Sequence, residues 1–212
     1  DFVDWKFSSD YRKRSIELDA VIATHNDIDH FGGLLDLLST TPAALRKLRA
    51  DKVTVDCFYH AGLSWWKRGS SRWLGPCSES DAGRLWTQLL GDRPSVQAAL
   101  SGGGSKQLAG EWAKLFEAVL RTRTRSDGQT PIKRISHLHD YLPGFAPDDG
   151  EVSIRVLAPV EYSLGSTPAL RYFAGGDSKN TNGQSVLLRV NYGRSRILLT
   201  GDLNTAAQTV LL

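Results

Sequence analysis

Apolar positions along the chain fall into short blocks of two kinds. Leu18 to Thr24 (LDAVIAT) and Val53 to Tyr59 (VTVDCFY) are compact apolar runs that read as buried strands. Between them, FGGLLDLL from Phe31 has helical spacing, and Gly32 and Gly33 are expected to allow close backbone approach at its start. Thr41 followed by Pro42 reads as an N-cap and first helical position, so a second short helix is expected through ALRKLRA, 44–50. The strand–loop–helix–strand order indicates layered α/β packing.

From about Leu74 to Arg125 the pattern turns helical. Ser80 followed by DAGRLWTQLL predicts a capped helix, and Leu108, Trp112, Leu115, Phe116, Val119 and Leu120 share one helical face. SGGGS at 101–105 follows no strand and lacks phosphate-loop spacing, so it reads as a flexible connection. This section, about 74–125, is expected to be a helical insertion beside the main core. Beyond it, Val152, Ile154 and Val156 alternate as in a half-buried strand. Ser185 to Tyr192 and Ser195 to Thr200 form a hairpin about Gly193-Arg194, and a helix is expected through LNTAAQTVLL after Gly201-Asp202.

The length of 212 residues favours one domain, and 41% hydrophobic with 23% charged residues excludes a disordered chain. No apolar run is long enough for a membrane span and no leader is visible, so a cytoplasmic location is expected. Lys and Arg total 26 against 23 acidic residues, a net charge of +3 that leaves a polyanionic partner open and no more. The local excess is RTRTR (Arg121, Arg123, Arg125), read as the solvated end of the insertion helix, where cations suit the helix dipole. Two cysteines, Cys57 and Cys77, match no zinc spacing. The chain starts at Asp1, contains no methionine and stops on TVLL, so a piece of a longer protein is expected.

Candidate chemistry concentrates in Thr24-His25-Asn26-Asp27-Ile28-Asp29-His30-Phe31-Gly32-Gly33. Two imidazoles and two carboxylates follow a buried strand at once, and these are ligand types for zinc, manganese or iron. The bland reading is a solvated turn. An EF-hand fails because Leu38 stands where its glutamate belongs.

THNDIDHFGG resembles the T-H-x-H-x-D-H-x-G-G signature of the metallo-β-lactamase superfamily, with Asp27 at the second histidine position. The H-x-D-x-D-H-x-G-G form is similar to the hydrolase domain at the C-terminal end of DNA-uptake competence proteins. Asn182-Gly183-Gln184-Ser185 with VLLRVNYGRSRILLTGD resembles that branch's second motif. The resemblance implies an αββα sandwich with helices outside, and two divalent ions, zinc or manganese. His25 and Asp27 would bind one ion, Asp29 and His30 the second, and Asp202 would bridge them. Asp29 would also orient water or pass on a proton, while Asn182 and Ser185 would shape the site. A last histidine is expected beyond Leu212.

The implied activity is metal-dependent hydrolysis of a phosphodiester, with nucleic acid the favoured partner. The alternatives are a hydrolase of a small ester, lactone or thioester, and a non-catalytic binding module. An extended basic groove favours nucleic acid; a narrow apolar pocket favours the small substrate. Weaker candidates are His60 at a strand end, His137 and His139 in SHLHD, a Cys57–His60 pair, and Lys179 as a phosphate contact. Trp65, Trp66 and Trp73, interleaved with Lys67, Arg68 and Arg72, are a candidate base-stacking platform, with core packing the commoner role for such aromatics.

Overall fold

The computed structural model describes residues 2–39 and 48–212. Among them are six α-helices and several small sheets, the mixed α/β class expected from the strand–helix order and consistent with a metallo-β-lactamase-like fold. Most of the helix expected through 44–50 lies outside the described residues.

An N-terminal helical segment that the pattern does not announce comes first, α1 (Phe2–Trp5) running into Lys6–Asp10. Its buried Asp4 carboxylate accepts hydrogen bonds from the backbone N–H groups of Arg49 and Ala50. The next four strands pair in parallel, β1 (Ser15–Leu18) with β3 (Lys52–Val55) and β2 (Val21–Ala23) with β4 (Phe58–His60); β4 also pairs with β9 (Ile132–Arg134). Each apolar run expected as one strand is therefore two. Both break beside a carboxylate, Asp19 or Asp56, and Arg125 binds both, at 2.6 Å from Asp19 Oδ1 and through Nε at 2.7 Å from Asp56 Oδ2. RTRTR is thus more than a solvated helix end, since Arg125 ties two strand breaks together. Helix α2 (Ile28–Leu38) joins β2 towards β3. A Cβ at Gly33 would meet nothing within 4 Å and one at Gly32 only the Ile28 side chain, so no close approach explains these glycines among the described residues.

Successive residues of a strand face opposite sides, and β4 uses both. Phe58 joins the larger core with Phe31, Leu38, Trp112, Leu115 and Phe116. Cys57 and Tyr59 join a second cluster with Val156, Val186 and Leu188. Helices α2 and α4 (Gly110–Arg121) therefore cover one face of the parallel sheet. β10 (Val152–Ala158) and β13 (Leu187–Tyr192), two strands of an antiparallel sheet that ends in the exposed β14 (Ser195–Leu199), cover the other. The predicted β13–β14 hairpin is present, with Tyr192 opposite Ser195. The terminal helix is also as predicted, α6 (Thr205–Leu211), capped by the Asn204 side chain, which accepts from the Ala207 N–H.

The section expected to be a helical insertion differs in two ways. Ser80–Leu90 is not a helix. Ser80 and Gly83 exchange backbone hydrogen bonds in a tight turn, with Gly83 at φ 91°. β8 (Leu85–Trp86) then pairs with β7 (Cys77–Ser78) and with β12 (Thr167–Arg171), which pairs onward with β11 (Glu161–Leu164). Burial of Leu85 and Trp86 in that sheet overrides the local helical pattern. The helix that does form, α3 (Arg93–Ser101), starts at a reciprocal cap. The Asp92 side chain accepts from the Ser95 N–H, and Ser95 Oγ accepts from the Asp92 N–H. The second difference is that α4 belongs to the main core. Trp112 packs edge-on to Phe31 and to Phe116 at 5.0 Å, and Phe116 edge-on to Phe58 at 5.8 Å. Between Ser64 and Trp66, the chain leads into a hairpin of β5 (Trp66–Arg68) and β6 (Ser71–Trp73).

His60 also lies in this core. It is fully buried, its ring is edge-on to Phe116 at 5.2 Å, and Nδ1 accepts the Gly62 N–H. Burial, with a lesser contribution from Arg134, lowers its pKa to about 3. A histidine depressed from 6.5 in the folded state binds fewer protons than the unfolded chain, so its stabilising contribution is present above pH 6.5 and is lost as pH falls towards 3.

Two stability measurements follow. Phe116→Ala should lower unfolding free energy by about 3–5 kcal/mol in urea titrations; a loss under about 1 kcal/mol would remove α4 from the core. Between pH 7 and pH 5 the parent should lose about 2 kcal/mol more than His60→Asn. Parallel pH profiles for the two would contradict a buried, neutral His60.

Candidate metal centre

The site is assembled where the C-terminal end of β2 meets the segment leading into β13. The Val186 N–H donates to the Thr24 carbonyl at 2.8 Å, setting Ser185 beside His25. Gly201 makes room for this approach. Its φ is 51°, and a Cβ there would stand 3.1 Å from Ser185 Cβ and Oγ and 3.3 Å from Thr24 Cβ. Asp202 follows at once, its N–H donating to Ser185 Oγ at 3.3 Å.

The structure gathers three of the predicted ligands. Donor atoms of His25, His30 and Asp202 lie within 4.8 Å of one another. His30 Nε2 is 3.2 Å from Asp202 Oδ1, and the two imidazole centroids are 4.1 Å apart. His25 is 3% exposed, and its Nε2 is buried with no hydrogen-bond partner among the described residues. Its Nδ1 lies 3.2 Å from Thr24 Oγ1 and 3.3 Å from Ser185 Oγ. A proton on Nδ1 donated to either hydroxyl leaves the Nε2 lone pair turned into the cluster, the arrangement that a hydrogen-bond acceptor behind a metal-bound imidazole imposes. Burial first, and then the neighbouring His30, lower the His25 pKa and favour the neutral ligand form. An orphaned buried nitrogen facing an imidazole and a carboxylate fits a divalent transition metal.

The other two predicted ligands stand at the rim of this trio. Asp27 Oδ2 is 3.9 Å from His25 Nε2 and accepts from Thr181 Oγ1 at 2.8 Å. The Asn182 amide, oriented to satisfy both of its polar atoms, donates to the same oxygen at 3.2 Å. Asp29, in the first turn of α2, is exposed, with Oδ2 3.9 Å from His30 Nε2. Asn182 and Ser185 thus reach the cluster through Asp27 and through His25.

Three supporting residues escape the sequence pattern. Thr181 holds Asp27 from α5 (Asp177–Gly183). Buried Asn180 fixes α5: its Oδ1 accepts from Trp86 Nε1 and the Phe173 N–H, and its Nδ2 donates to the Phe173 and Gly176 carbonyls. Trp65 Nε1 donates to the Asn26 carbonyl at 2.7 Å, bracing the loop between His25 and Asp27 against the β5–β6 hairpin. None has a ligand's residue type, so no motif signals it. An N-T-N-G run before a strand is at most a hint of a side-chain-fastened turn.

The weaker candidates lie elsewhere. His60 sits in the apolar core, and Cys57 belongs to the cluster on the opposite sheet face, so they form no thiol–imidazole pair. His137 Nδ1 accepts the Glu161 N–H, and His139 Nδ1 bonds the Ser136 backbone, so both serve a loop. The Lys179 side chain runs close beside Gly175 and is not at the cleft that opens by Asp27. Trp65 and Trp66 are buried and cannot stack bases. Their hairpin carries arginines on aromatic faces instead, Arg72 over Trp65 at 4.1 Å and Arg68 over Trp73 at 4.9 Å.

Among the described residues, no helix is long and apolar enough to cross a membrane. Comparison with curated proteins and with solved structures gave no match. Nothing found points to the competence-type branch in particular. Residues 10–94, which hold His25, Asp27, Asp29 and His30, match the family model of the metallo-beta-lactamase superfamily.

Proposed function

We propose that the protein is a metal-dependent hydrolase acting on a phosphodiester, built on a scaffold of the αββα type. The observation that carries this reading is the convergence of His25, His30 and Asp202 on one point, with His25 Nε2 buried and unsatisfied. His25, His30 and Asp202 would hold one divalent ion, zinc or manganese. Asp27 and Asp29, each 3.9 Å from a histidine of the trio, are the residues available to a second. Such ions supply Lewis-acid polarisation of the ester and bring the pKa of a water from 15.7 towards about 7.

The chain's own groups do the rest. Thr24 and Ser185 hold His25 in one tautomer and one orientation. Thr181 and Asn182 keep the Asp27 carboxylate in place. Asp29 Oδ2, exposed beside His30, orients a water or accepts its proton. A cleft of about 790 Å³ opens by Asp27 and is lined by Lys67 and Arg72. The same lining carries Asp27 and Asp177, and its two cations are the groups that support a phosphodiester over a small neutral ester or lactone, which calls for an apolar pocket.

The test is turnover of bis(p-nitrophenyl) phosphate and of p-nitrophenyl acetate with added manganese or zinc. The phosphodiester should be the better substrate, and Asp202→Asn should abolish its turnover. Ser185→Ala should lower kcat/KM by about 10- to 100-fold, the usual cost of a lost partner behind a metal-bound histidine. Preference for the carboxylic ester, or turnover unchanged in Asp202→Asn, would contradict the proposal.

A further inference from the structure

The cleft beside Asp27 does not end at the β5–β6 hairpin. Ser71, Arg72 and Asp177 also line a second cleft, of about 480 Å³, which continues past Arg68 and Arg84. Four cations, Lys67, Arg72, Arg68 and Arg84, thus border a run of two adjoining clefts that starts at the metal loop. The acids on the same walls are Asp27, which faces His25, and Asp177 at the junction.

One feature sets three of these cations apart from an ordinary solvated face: the arginines are pre-arranged. Arg72 lies over Trp65, Arg68 over Trp73, and Arg84 over Tyr172 at 4.6 Å. An aromatic face holds a guanidinium plane and leaves its N–H edge free for an anion, which lowers the ordering cost of phosphate binding.

We infer that Lys67, Arg72, Arg68 and Arg84 form a track for the phosphates that flank the one being cut, so that the substrate is a polynucleotide strand and not a lone phosphodiester. This rests on the hydrolase reading for its scissile position, but the track itself needs no metal. It binds backbone, because Trp65 is buried beneath Arg72 and Trp66 is buried in the core, so neither offers an open ring face to a base. Recognition is therefore through phosphate and is indifferent to sequence.

The test is fluorescence anisotropy of labelled oligothymidylate of about twelve nucleotides, a length within the range that single-strand grooves engage, in EDTA and over a salt series. The strand should bind at least about tenfold more tightly than thymidine monophosphate, with affinity falling as salt rises. Lys67→Gln with Arg72→Gln should raise its Kd about tenfold or more and flatten the salt slope by about two contacts. Arg84→Gln should weaken the strand and leave the mononucleotide unchanged, while Arg196→Ala, on exposed β14, should alter neither. Equal Kd for strand and mononucleotide, Kd values unmoved in the hairpin variants, or an equal loss in Arg196→Ala would overturn the track. The two readings fail separately. Strand binding in EDTA without turnover in manganese sinks only the hydrolase; turnover of the small diester without length-dependent binding sinks only the track.

Discussion

The geometry of the candidate centre depends on one backbone hydrogen bond and the space that permits it. The Val186 N–H reaches the Thr24 carbonyl, and Gly201, with no Cβ, allows Ser185 to close against Thr24. Through that contact the segment before β13 becomes a wall for His25, and Asp202 comes within 3.2 Å of His30. His25 and Asp202 are far apart in sequence, so loop closure is costly unless native packing repays it. The second hydrophobic cluster does so, with Val186 and Leu188 packed against Cys57 and Tyr59.

Burial and exposure divide the roles at the centre. His25 is enclosed and deprived of a partner at Nε2, which leaves it poised for a ligand and disfavours its charged form. His60 has the same orphaned nitrogen in a different setting. It faces Phe58 and Phe116, and among the described residues no carboxylate converges on it, so the same residue type at a neighbouring strand end is a core group. An unsatisfied imidazole points to a metal only where other donors meet it.

How far the sequence discloses the molecule follows from how local each signal is. The THNDIDHFGG loop, the β13–β14 hairpin and the Trp112–Phe116 helix face are all legible, because each is encoded within one short continuous stretch of sequence. Ser80–Leu90 misleads because its spacing suits a helix, while pairing of Leu85 and Trp86 with Arg171 and Leu170 decides otherwise. The breaks at Asp19 and Asp56 are hidden for a related reason, since only the fold brings Arg125 to both carboxylates. Thr181, Asn180 and Trp65 act through contacts across the chain and carry no motif. The tryptophan-rich hairpin combines both cases: its composition suggests stacking, and burial converts its rings into supports for arginine.

Everything proposed for the centre requires His25, His30 and Asp202 to bind a divalent ion together. The most direct measurement is competitive titration of the metal-stripped protein with zinc against a chromophoric chelator, beside His25→Gln, with folding monitored by circular dichroism. At least one tightly held ion per chain is expected, lost in the variant while the folded signal persists. Equal uptake by the two proteins, or none by the parent, would contradict it.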